Sequence, residues 1–197
     1  ILVWGKFFIY TDTYIMRPLA DYIKKNKGLF PVSVIWGSGP SVNQLSPEAH
    51  SPYLNFAVNA SIMLFPFWKS GNHRNRVFMA IDTGAFEWSW FHDGMRSKCC
   101  KLFRRYAFER SKTRRPYFPA NTYKHPDTWY FDMRNEDEPI VNMSKLSTVP
   151  HSSVIPMSID ISMKLGVKLI AVTGVEHSVK NGMTHFWQDW HFNERPT

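Results

Sequence analysis

Apolar residues recur at helical spacing in Ile15, Leu19, Tyr22 and Ile23, which predicts a helix over Tyr14–Lys27. Lys24, Lys25 and Lys27 then suit its C-terminal dipole, and Gly28 can take the left-handed cap. The pattern switches to short β-rich runs: Pro31–Trp36, Asn55–Asn59 and Arg76–Asp82. Each is nearly continuously apolar and ends in polar or glycine residues, as buried parallel strands do where their C-terminal ends build a site. Helical spacing returns over Val154–Leu165, with Ser152 or Ser153 as N-cap, Pro156 in the first turn and Gly166 at the end. Lys168–Gly174 is the clearest strand of all. Strand, glycine-rich turn, strand, strand, helix, strand predicts an α/β fold with a mostly parallel sheet flanked by helices.

Between His92 and Pro150 the periodicity loosens, prolines accumulate (Pro116, Pro119, Pro126, Pro139, Pro150) and an acidic run Glu136-Asp137-Glu138 appears. This stretch reads as an irregular, basic, Pro-rich insertion with one or two helices. The chain is accordingly read as a single α/β domain over 1–197. Its core spans about 31–91 and 151–180, the insertion spans about 92–150, and 181–197 is a terminal segment.

Length and composition agree with one packed domain. The 197 residues are 44% hydrophobic and 20% charged, and aromatics reach 16%, ample for a core and unlike a disordered chain. No apolar run approaches the ~18 residues of a membrane helix, so no membrane span is expected. The opening Ile1–Tyr10 lacks the basic region and cleavage site of a signal peptide. Cys99 and Cys100 are adjacent, with no metal-binding spacing, and fit a reduced cytoplasmic setting.

The net charge of +8 is concentrated. Arg96, Lys98, Lys101, Arg104, Arg105, Arg110, Lys112, Arg114 and Arg115 face one acid, Glu109, across Arg96–Arg115, so this window holds the whole excess. Leu102, Phe103 and Tyr106 suit the apolar face of a helix with the cations in water. Beside that solvated-surface reading stand contact with a polyanion and contact with a subunit.

Gly37-Ser38-Gly39-Pro40-Ser41 follows the first strand directly. Glycines permit close backbone approach, and free amides there can hold phosphate oxygens. The sequence is neither a P-loop nor a full G-x-G-x-x-G, and a plain strand-to-helix turn is an equal alternative. Asp82 ends the third strand, as a turn or N-cap residue or as a ligand for Mg²⁺. Near the C-terminus, Thr184–His191 offers His185 and His191 as bases near neutral pH, or as packing histidines in an aromatic loop. Their separation is not the i, i+4 pair of a helical zinc site.

Val34–Ser41, Phe56–Ala60, Phe78–Thr83, Ser152–Val154 and Ile170–Glu176 together resemble a Rossmann-like superfamily. Its members include bacterial lipooligosaccharide sialyltransferases, motility-associated flagellin glycosyltransferases and archaeal hydroxymethylpterin pyrophosphokinase-like proteins. The resemblance covers roughly 32–82 and 151–189. It implies that Gly37, Ser38, Gly39 and Ser41 line a nucleotide phosphate and that Asn59 faces base, ribose or phosphate. Ser152 and Ser153 would then lie near the base, Glu176 at the strand end, and His177 and His185 on a lid, for which 181–197 is the incomplete candidate. The sialyltransferases carry Asn where this chain has Ser38 and Asp82. An aspartate beside phosphates calls for a divalent cation, so Asp82 points to Mg²⁺.

The expected activity is therefore nucleotide-binding transfer from a nucleotide-sugar, with Asp82, His185 and His191 as candidate catalytic residues. Pyrophosphoryl transfer from a nucleoside triphosphate with Mg²⁺ is the alternative within the family. From other classes come a non-enzymatic nucleic-acid or polyanion binder acting through Arg96–Arg115, and an assembly protein using Phe65–Trp68 and Phe86–Phe91 as contacts. The sequence leaves the oligomeric state open.

Overall fold

A computed structural model describes residues 17–67, 73–81, 85, 88–104, 127–133, 145–146, 153–176, 182 and 184–185. Its centre is a sheet of seven strands: β1 Val32–Trp36, β2 Leu54–Val58, β3 Arg76–Ala80, β4 Cys100–Arg104, β5 Thr128–Met133, β6 Lys145–Leu146 and β7 Leu169–Thr173. The spatial order is β6-β5-β4-β3-β2-β1-β7, and every pairing is parallel. The α/β class expected from the strand-and-helix alternation is the one observed. Among the described residues three α-helices accompany it: α1 Leu19–Asn26, α2 Ser89–Arg96 and α3 Val154–Lys164.

Both faces of the inner strands are covered, which is why their sequences are apolar without alternation. One face carries Ile35, Phe56, Val77, Met79, Leu102 and Phe131, packed under Leu19, Tyr22 and Ile23 of α1 and Met157 and Ile161 of α3. The other carries Val34, Trp36, Ala57, Phe78 and Phe103, packed under α2 and the 3-10 segment Asn59–Phe67. Phe78 is the hub of that second layer, with ring contacts to Trp90, Phe91 and Phe103 at 5.6–6.3 Å. Of the runs Phe65–Trp68 and Phe86–Phe91, Phe65, Trp90 and Phe91 are buried and Trp88 is partly exposed, while Trp68, Phe86 and Glu87 lie outside the described residues.

Several polar side chains inside this sandwich are paired, while the buried hydroxyls of Tyr22 and Thr128 make no hydrogen bond. Trp36 Nε1 donates to Asn55 Oδ1 at 2.9 Å, while Asn55 Nδ2 donates to the carbonyls of His50 and Tyr53. Ser33 of β1 donates to Ser162 of α3 at 3.1 Å, fixing the height of that helix against the sheet. These bonds matter because an unpaired buried donor costs about 1–3 kcal/mol.

The elements depart from expectation in two places. Within the described residues, α1 begins at Leu19 rather than at Tyr14: Pro18 has an extended backbone (φ −73°, ψ 153°) and bridges Tyr130 beside β5. The residue ahead of a proline is steered away from helix, and the Arg17 carbonyl accepts instead from Tyr130 N at 2.8 Å. The larger correction concerns the basic window. Residues 100–104 form strand β4 in the middle of the sheet, not the face of a helix, and Lys101 is wholly buried. Its ammonium donates to the carbonyls of Ser97 and Cys99 at 2.9 and 3.0 Å. Desolvation lowers its pKa. The described parts of 92–150 supply most of α2 and the strands β4, β5 and β6 of the same sheet, and the prolines of the expected insertion lie outside the described residues. Residues 105–126, 134–144 and 147–152 lie outside the described residues.

Burial also fixes the cysteine chemistry. Cys99 and Cys100 are free thiols at 0% and 4% exposure, pushed by desolvation up to about 11 and about 12 from 9.0. Above pH 9 the unfolded chain releases these protons while the native chain keeps them, so stability falls from pH 9 toward 12. Replacing both cysteines with alanine is expected to flatten that fall in denaturation curves taken across this range. At pH 8 neither thiol of the native protein should react with a maleimide on the timescale at which the denatured chain reacts fully.

Candidate functional site

In a parallel α/β sheet ligands bind beyond the C-terminal strand ends, at the point where neighbouring connections leave in opposite directions. Here that point lies between β1 and β7. β1 leads toward β2 on one side, whereas β7 is added on the other. The expected phosphate loop, Gly37–Ser41, leaves β1 at this place.

The loop is fastened to the end of β7. Gly37 N donates to Thr173 O at 2.7 Å, and Gly39 N donates to Gly174 O at 2.8 Å. The Glu176 carboxylate accepts from Ser41 N at 2.5 Å through Oε1 and from Ser41 Oγ at 2.9 Å through Oε2. Gly174 N in turn donates to Ser41 Oγ at 3.2 Å. The glycines serve this contact between two backbones. A Cβ on Gly37 would run into the Gly174 carbonyl, and Gly174 itself has φ +69° and lies 2.6 Å from Val42 when given a Cβ. The free amides expected at Gly37, Gly39 and Ser41 are thus engaged within the chain. Glu176 sits at the strand end, as expected, but its charge is spent on Ser41.

Beside this closed point the sheet end opens. A cavity of about 280 Å³ is lined by Ser38, Asn59, Ala60, Ala85, Trp88, Trp90 and His185. Three of the expected site residues, Ser38, Asn59 and His185, come together here from the end of β1, the end of β2 and the C-terminal segment. Among the described residues Ser38 makes no hydrogen bond of its own. Asn59 begins the turn out of β2 with φ +53°, the one described non-glycine residue in the left-handed region. Asparagine tolerates that conformation better than most side chains. Its Oδ1 is buried with no hydrogen-bond partner. Ser61 holds the turn in place, its hydroxyl donating to Trp36 O or Val58 O at 2.6 and 2.8 Å.

His185 is half-buried, and desolvation lowers its pKa from 6.5. The imidazole is therefore neutral at pH 7. Its Nδ1 lies 2.9 Å from Thr184 Oγ1. Ser153 is in place as the N-cap of α3 with extended backbone, but it is exposed and outside the cavity lining. Asp82, Ser152, His177 and His191 lie outside the described residues. Among the described residues no cluster of three or more His, Cys, Asp or Glu side chains could hold a metal ion.

Trp88 and Trp90 are the lining residues that sequence reasoning did not assign to the site. They fell within an aromatic run whose ordinary meaning is core, which is correct for Trp90 at 8% exposure. Trp88 is the N-cap of α2 and Trp90 lies in its first turn, and nothing in the sequence separates them from core aromatics.

Replacing Glu176 with alanine removes both acceptors of Ser41 and is expected to cost about 1–3 kcal/mol in chemical denaturation. Unchanged stability would show that the two strand-end loops are held together by something other than this carboxylate.

No protein-family model matches the chain, nor does any curated protein or solved structure.

Proposed function

We propose that the protein binds a nucleotide over the C-terminal ends of β1 and β2 and acts as a transferase, with a nucleotide-sugar as the favoured donor. The observation that carries this reading is the convergence of Ser38, Asn59 and His185 on one cavity. They are three of the ten residues that the resemblance assigns to nucleotide, strand end and lid. Ser38 offers an unengaged amide and hydroxyl at the cavity. Asn59 offers an amide whose oxygen has no partner. His185 is the candidate base: a neutral imidazole can take the proton of an acceptor hydroxyl as the new bond forms. Pyrophosphoryl transfer remains the alternative chemistry on the same residues.

Mg²⁺ binding would fall to Asp82, next along the chain from Ile81 at the end of β3. The described lining offers a hydroxyl, a carboxamide and an imidazole but no carboxylate, and Mg²⁺ is usually held by one or two carboxylates. The described residues alone therefore do not fit a magnesium site.

The polyanion reading is the alternative from another class: within its window Lys101 is buried in β4, while Arg105, Arg110, Lys112, Arg114 and Arg115 lie outside the described residues.

A thermal-shift panel of CMP, CDP, UDP, GDP, ADP and ATP, each with and without Mg²⁺, tests the proposal. A ligand at 100 times its dissociation constant adds about 2.7 kcal/mol of stability. One nucleotide class is expected to raise the melting temperature, and Asn59→Ala to abolish that rise. Binding is expected to weaken as the pH falls and His185 becomes protonated only if neutral His185 contacts the ligand. No shift with any nucleotide would overturn the reading.

A further inference from the structure

The cavity has two unlike sides. Ser38, Asn59 and His185 are polar, whereas Trp88 and Trp90 present two indoles whose ring centroids lie 6.5 Å apart at an interplanar angle of 30°. Trp90 is fixed from behind, meeting Phe78 at 88° and Phe91 at 65°, both at 6.3 Å. Phe78 in turn is wholly buried in the second core layer. Trp88 is only half-buried and reaches the cavity from the first residue of the α2 cap. The small side chains of Ala60 and Ala85 keep the space next to the indoles open.

A partly exposed indole packed beside a second, buried indole forms a flat platform. Such a platform gains most from a planar heteroaromatic ring, which covers its face without losing rotamer freedom. The volume agrees. Drug-sized ligands occupy cavities of about 300–1,000 Å³, so about 280 Å³ accommodates a base with its ribose rather than an entire nucleotide-sugar.

We infer that Trp88, backed by Trp90, stacks the base of the bound nucleotide, with Asn59 and Ser38 at the polar edge of the base and ribose. This rests on the nucleotide reading above and alters its orientation. The base lies toward the start of α2, on the β2 side of the site, and not beside Ser153, where the resemblance alone would put it. The phosphates and any transferred group then leave the cavity on its polar side, past His185.

Titrating AMP, CMP, UMP and ribose 5-phosphate into the wild type, Trp88→Ala and Trp88→Leu, with Kd read by calorimetry, tests the inference. At least one nucleotide is expected to bind the wild type more tightly than ribose 5-phosphate. Trp88→Ala should weaken that nucleotide about tenfold or more and leave ribose 5-phosphate nearly unchanged. Trp88→Leu fills most of the space without a π-face, so it should show the same selective loss even if the alanine variant fails to fold. Nucleotide affinity unchanged in both variants would overturn the stacking role while leaving nucleotide binding standing. Equal affinity of the wild type for nucleotide and ribose 5-phosphate would do the same. Failure of every nucleotide to bind the wild type would overturn both readings.

Discussion

The hydrogen-bonded fastening of residues 37–41 to residues 173–176 is the contact on which the geometry of the candidate site depends. A parallel sheet leaves a crevice where its connections part, and here that crevice lies between β1 and β7. Two backbone bonds and the Glu176 carboxylate close it, at glycines that let the chains touch. The open volume is displaced onto the neighbouring ends of β1 and β2, where the left-handed turn at Asn59 and the start of α2 shape it.

Much of the fold was legible because its signals are local. The runs ending at Trp36, Val58 and Ala80 are apolar on both faces, and each is a strand. Val154–Lys164 begins after the Ser153 cap and ends ahead of Gly166, as the sequence indicates. The segment at 100–104 misled because its meaning is not local. Cys-Lys-Leu-Phe-Arg reads as part of a charged helix until the strand register sets Leu102 beside Met79 and buries Lys101 against carbonyls. A lysine pointing inward has no signature in a single sequence, since only the fold supplies the carbonyls that satisfy it.

The candidate site was half legible for a related reason. Ser38 and Asn59 follow strand ends, so their position is implied by the strands themselves. The engagement of the loop by Glu176, 135 positions further along the chain, depends on β7 returning beside β1. Trp88 and Trp90 were indistinguishable from core aromatics because one of them is core. The same indole layer that closes the hydrophobic interior over Phe78 also forms the wall of the cavity.

The proposed ligand site, the cavity at the ends of β1 and β2, is tested by a crystal structure of the protein with a bound nucleotide. Density is expected among Ser38, Asn59, Trp88 and His185, with Glu176 still bonded to Ser41. Density in the crevice between β1 and β7, with Glu176 displaced from Ser41, would contradict it.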